Sequence, residues 1–158
     1  MIFDRTQNDV DTAKFLIKEK VEFDPSTMKP INIEELTQDE LEILKKGTFN
    51  YTDLNRIESK QEELKYLLNS LGYWNVNIEN KQWTETEVFK IVDFERIINN
   101  TNVLHSSFYV YSNTPKIPSA SYYWENINNL EKILHDLNMM IEYIQLHFKE
   151  CGTFESGE

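Results

Sequence analysis

Apolar residues recur every three or four positions in five stretches of the chain, the signature of helices with one buried face. Val10, Ala13, Leu16 and Ile17 form the first stripe, which runs to about Lys20. It follows Thr6, which with Asp9 three residues on has the form of a capping box. Leu41 and Leu44 form a shorter stripe between a second such box, Thr37 with Glu40, and Gly47, which closes the turn. Thr52 opens the third, in which Leu54, Ile57, Gln61, Leu64, Leu68 and Leu71 precede Gly72, a residue suited to the C′ position. About twenty residues at 1.5 Å each make this element a rod of ~30 Å. Asp93 and Glu95 begin a fourth stripe, Phe94, Ile97, Ile98, Leu104 and Phe108, which predicts a helix over about 93–112. Trp124, Ile127, Leu130, Ile133, Leu134, Leu137, Met140, Ile141 and Ile144 predict a last helix over about 123–148.

One segment has a different period. Trp74, Val76 and Ile78 alternate with Asn75, Asn77 and Glu79, as in a short half-buried strand. A lone strand has no ladder partner, so the expectation is an extended connector whose Trp74 and Trp83 cover the open end of a bundle. Pro25 to Pro30 is irregular. The pattern as a whole predicts an all-α fold: a helical bundle of three long helices with shorter N-terminal helices laid against it, residues 1–150 forming a single domain and 151–158 a flexible tail.

Composition narrows the functional classes. The 158 residues carry a formal charge of −11, and Lys and Arg never cluster beyond pairs such as Lys45/Lys46, so a phosphate-neutralising stripe is missing and nucleic acid is not an expected partner. Apolar runs such as Phe15–Ile17 are far short of the ~20 residues of a membrane span, and Met1 to Arg5 does not open like a signal peptide, so no membrane association or secretion is expected. Cys151 is the sole cysteine and can build neither an internal disulfide nor a thiolate zinc cluster.

Catalytic patterns are scarce. Ser70, Ser106 and Ser107 lack a nucleophile-elbow context, Cys151 lies in the tail, and no glycine-rich phosphate loop occurs. Glu131 and His135 share a helical face four residues apart, but two ligands without H-E-x-x-H spacing read as a surface pair, and no metal or cofactor is expected. Glu58 and Glu62 likewise read as a solvated acidic face.

Aromatic density is the more unusual feature, because Phe108, Tyr109, Tyr111, Tyr122, Tyr123 and Trp124 flank the Pro115/Pro118 segment. Such a cluster can pack the turn between the last two helices, form an interface hot spot, or stack on sugars. Tyr109, Tyr111, Tyr122 and Tyr123 are the interface candidates, joined by Phe154 in the acidic, glycine-flanked tail.

Six segments occur in an order that carries a family likeness: FDRTQNDVD (3–11), YTDLNRIE (51–58), DFERIINN (93–100), NTPKIPSA (113–120), ENINNLEKIL (125–134) and GTFESGE (152–158). Together they resemble small tail-associated structural proteins encoded by bacteriophages and prophages of Firmicutes. The resemblance implies a place in the virion tail or baseplate, reached from the host cytoplasm during assembly, with other tail or baseplate proteins or further copies of the chain as partners. It brings no catalytic motif. The expectation is therefore a non-enzymatic virion component acting through protein–protein contacts; the competing class is a glycan-binding module of a phage adsorption apparatus.

Overall fold

The computed structural model of the chain describes residues 2–121 and 123–150. Tyr122 and the tail from Cys151, with Phe154, lie outside them. The expected class is the observed one: the described residues form five α-helices, α1 (Gln7–Lys20), α2 (Gln38–Gly47), α3 (Tyr51–Ser70), α4 (Ile91–Ser107) and α5 (Trp124–Glu150), with a 3-10 turn at Ile33–Glu35. No strand occurs among them; the β pairing found there is an isolated bridge between Phe23 and Pro30.

Local chemistry sets the helix ends. Thr6 and Asp9 exchange hydrogen bonds at the start of α1, and Thr37 and Glu40 do the same for α2, as their spacing predicts. The start of α3 differs from expectation. Asn50, rather than Thr52, is the N-cap: its Oδ1 accepts from the Thr52 N–H at 2.8 Å, while the Asp53 carboxylate accepts from the Asn50 N–H at 3.0 Å. At the other end Gly72 has φ +92° and completes a Schellman motif, with Gly72 N–H donating to Asn69 O and Tyr73 N–H to Leu68 O, both at 3.0 Å. Helix α4 begins earlier and ends sooner than its apolar stripe suggests. Asp93 stands at its third position, accepting from the Lys90 N–H, and Phe108 turns to extended backbone to meet the Tyr73 ring edge-on at 5.2 Å.

Helices α3, α4 and α5 pack on one another, and α1 packs on α2. Side-chain pairs give their directions. Along α3, Glu58 pairs with Arg96 and Gln61 with Ile97 and Thr101 of α4; Arg56 pairs with Glu131 and Lys60 with Asn138 of α5. Both partner series rise with the α3 numbering, so the three helices run parallel, and each connection must return along their length. Segment 108–121 is therefore a return strap along the bundle rather than only a turn between the last two helices: Thr114 bonds Asp136 midway along α5, and Ile117 and Ala120 pack against the core. In contrast α1 and α2 are antiparallel, joined by Lys20–Glu40 at one end and Lys46–Asp9 at the other.

Segment 73–90, the other return strap, answers the ladder problem with side chains. Asn55 of α3 donates to Trp83 O at 2.9 Å and accepts from Trp83 N–H at 2.7 Å. Glu58 accepts from Lys81 N–H at 2.6 Å, and Asn100 of α4 donates to Glu79 O at 2.7 Å. Residues 79, 81 and 83 are thus served as a neighbouring strand would serve them. Val76, Ile78 and Trp83 are buried in the core, but Trp74 is 78% exposed and covers nothing, contrary to the capping role expected of it.

Candidate interaction surface

Several charged residues are buried, among them Glu58 and Glu131, which the sequence assigns to the surface. Arg5, Asp53 and Glu131 are each almost fully enclosed, and with the half-buried Arg56 they form a quartet of two cations and two anions. Arg56 Nη2 lies 2.6 Å from both Asp53 Oδ1 and Glu131 Oε1, and Arg5 Nη2 lies 3.2 Å from Asp53 Oδ1. Backbone groups complete the set: Arg5 donates to Lys46 O and Ile2 O, Ile2 N–H donates to Glu131, and Asn128 donates to Arg5 O. Burial alone would lower the Arg56 pKa, but the Glu131 carboxylate, with Asp53, outweighs it and holds the guanidinium above its ordinary value. The quartet pins residues 2–5 to α3 and α5.

Glu58 is the centre of a second enclosed cluster. Arg96 grips its two oxygens at 2.7 Å each, and the Trp83 indole N–H donates to it at 2.6 Å. The bond from Arg96 to the Glu58 carboxylate raises the Arg96 pKa. The reading of Glu58 and Glu62 as a solvated face is therefore overturned: Glu58 is enclosed, and Glu62, partly buried, accepts from the Asn80 side chain of the returning strap at 2.9 Å.

Glu131 and His135 also depart from a surface pair. Glu131 is 0% exposed and committed to Arg5 and Arg56, while the His135 ring packs on Phe3 with centroids 5.0 Å apart. Among the described residues no group of three or more His, Cys, Asp or Glu side chains could hold a metal, and no helix is long and apolar enough to cross a membrane.

While these few charges are turned inward, several large aromatic side chains lie outside. Tyr109 is 72% exposed, Tyr123 is 69% exposed, and Tyr111 is also exposed. The strap separates them. Tyr109 follows Phe108, which meets Tyr73 beyond the C-terminal end of α3; Tyr123 lines a pocket of about 430 Å³ with Gly47, Thr48, Phe49 and Trp124 at its N-terminal end. The expected single cluster is thus two patches, roughly the ~30 Å length of α3 apart. Trp74 joins Tyr109 at the first end, beside a hollow of about 400 Å³ shared with Tyr73 and Ser107. Sequence periodicity missed Trp74 because its alternation with Val76 and Ile78 implied the same inward face; Gly72 and the turn after it break that phase.

No family model, curated protein or solved structure matches the chain.

Proposed function

We propose that the chain is a non-enzymatic structural component of a bacteriophage or prophage tail or baseplate, in which a bundle of three long helices acts as a rigid spacer presenting contact surfaces to neighbouring virion proteins. The observation that carries this reading is the division of labour between side chains. Asp53, Glu58 and Glu131 are spent holding helices and straps together, whereas Tyr109, Tyr111 and Tyr123 lie exposed at two ends of one strap. Tyrosine on a fixed backbone offers large amphipathic contact area at small entropic cost. The sequence likeness supplies the setting, and neighbouring tail proteins or further copies of the chain are the partners.

The test is to change Tyr109, Tyr111 and Tyr123 to Ser together in the phage that encodes the chain. The variant should keep the thermal melt of the parent and be lost from purified particles. Normal incorporation would refute the interface assignment. Exposed Trp74 beside its hollow favours a second reading, a sugar-stacking surface of an adsorption apparatus. That reading requires saturable binding of neutral oligosaccharides, such as N-acetylglucosamine oligomers, that Trp74→Ala abolishes.

A further inference from the structure

The linker between α1 and α2 is built more tightly than a linker needs to be. Phe23 pairs with Pro30, Asp24 N–H donates to Lys29 O at 2.8 Å, and Ile31 N–H donates to Glu22 O at 2.9 Å, so residues 22–31 form a closed loop. The Asp24 carboxylate stiffens its turn by accepting from Ser26 N–H at 2.7 Å and Thr27 N–H at 3.2 Å, and Pro25 and Pro30 restrict the backbone on either side. Its base is tied at both flanks, through Asn32 to Lys20 O and through Lys29 to Glu85 at 3.1 Å, while Pro30 joins Tyr51 and Phe89 in lining a pocket.

What this scaffold presents is apolar. Met28 is 72% exposed, and Phe23 and Ile31 are exposed beside it. Met28 is also the one non-glycine residue with positive φ among those described, at +55°. An unbranched apolar side chain gains nothing there locally: glycine or asparagine adopts this conformation more readily, and water is a poor solvent for the thioether. Strain held by surrounding hydrogen bonds, together with an apolar tip left in water, is the pattern of a preformed contact residue. Carboxylates of Glu22, Glu34 and Glu35 stand exposed on the same linker, and none has an ion-pair partner among the described residues. Exposed apolar residues on α1 or at the start of α4, such as Phe15 and Val92, have no comparable loop construction.

We infer that the 22–31 loop is a docking knob that inserts Met28, flanked by Phe23 and Ile31, into a concave apolar pocket rimmed by Lys or Arg on a different virion protein. The charge favours such a partner over a second copy, which would bring the same carboxylates and a like charge of −11 to the contact, and over an anionic lipid surface. This inference rests on the tail-component reading.

Its test places a benzophenone amino acid at position 28 of the full chain during particle assembly, with position 15 on α1 as control. Position 28, and not 15, should cross-link to one other virion protein, at a peptide carrying apolar residues and Lys or Arg. Met28→Asp should lower incorporation at least tenfold without changing the melting temperature. Met28→Gly, which releases the backbone, should melt no lower than the parent yet incorporate as poorly. Cross-linking at 28 only to copies of this chain, none at 28 in particles that contain the chain, or normal incorporation of Met28→Asp would each overturn the knob and leave the tail reading intact. Absence of the parent chain from particles would overturn the tail reading, and the knob would fall with it.

Discussion

Gly47→Ala tests how closely the two N-terminal helices approach. Gly47 is the last residue of α2, and helix propensity favours alanine there by up to ~1 kcal/mol. Packing opposes the change. A Cβ built on Gly47 would stand 3.0 Å from the carbonyl carbon of Asp9, and nearer still to its oxygen and to the Cβ of Ala13, where 3.4–4 Å is ordinary contact. None of these atoms can swing aside, because two are backbone and the third is a methyl fixed to buried Ala13. Helix α1 would have to retreat, stretching the Lys46–Asp9 pair, now 3.3 Å, and uncovering Ala13 and Leu16, the two residues it buries. Overpacking costs ~1–3 kcal/mol, and a backbone obstacle places this site in the upper half of that range, so the net loss is ~1–2 kcal/mol. At ~2–4 °C per kcal/mol for a chain of this size, the melting temperature should fall by roughly 2–8 °C. Circular dichroism at 222 nm gives the melt, and amide exchange should show faster opening in residues 7–20. A variant that melts at or above the parent would mean that propensity wins and that the α1–α2 approach is looser than described.

Arg5→Ala leaves Asp53 and Glu131 buried with Arg56 alone, and should cost ~3–5 kcal/mol in urea unfolding, against less than about 0.5 kcal/mol for exposed Asp4→Ala. A small loss at Arg5 would show that residues 2–5 are not pinned. Trp83→Phe keeps a ring in the core but removes the bond to Glu58, for an expected loss of ~1.5–3 kcal/mol, measured in the same way. Acid should loosen the N-terminal helices first. Thr6 holds the Asp9 carboxyl below its ordinary value, and Lys20, with the Thr37 amide, does the same for Glu40. Because the folded pKa is the lower one, this stabilisation is present above pH ~4 and lost as pH falls through the folded pKa values. Corrected for intrinsic rate, exchange protection of the Thr6 and Thr37 amides, which donate to these carboxylates, should therefore fall between about pH 5 and 2 before that of α3; equal loss throughout would contradict it.

Much of the fold was legible. Helix-period stripes located all five helices, and two capping boxes and the Gly72 terminus were read from residue types whose role is local. The parallel course of α3, α4 and α5 was not legible, because periodicity reports which face is buried and not the direction of the neighbour. Nor did it show that Asn55, Glu58 and Asn100 serve the backbone of a distant strap: an amide or carboxylate on a helix looks the same whether it meets water or a returning chain. Gly47 was read as a helix stop, yet its lack of a side chain matters for the approach of α1. For the candidate surface, residue type singled out Tyr109, Tyr111 and Tyr123, but only the course of the strap separates them into two ends, and the exposure of Met28 depends on a loop closed by hydrogen bonds across ten residues.

The most direct test of the central claim is quantitative mass spectrometry of gradient-purified particles from the phage or induced prophage that encodes the chain, after a high-salt wash. The account predicts this chain in a fixed small-integer ratio to the major tail proteins, unchanged by the wash. Its absence, or an abundance that tracks host contaminants and falls with each wash, would contradict a structural place in the tail.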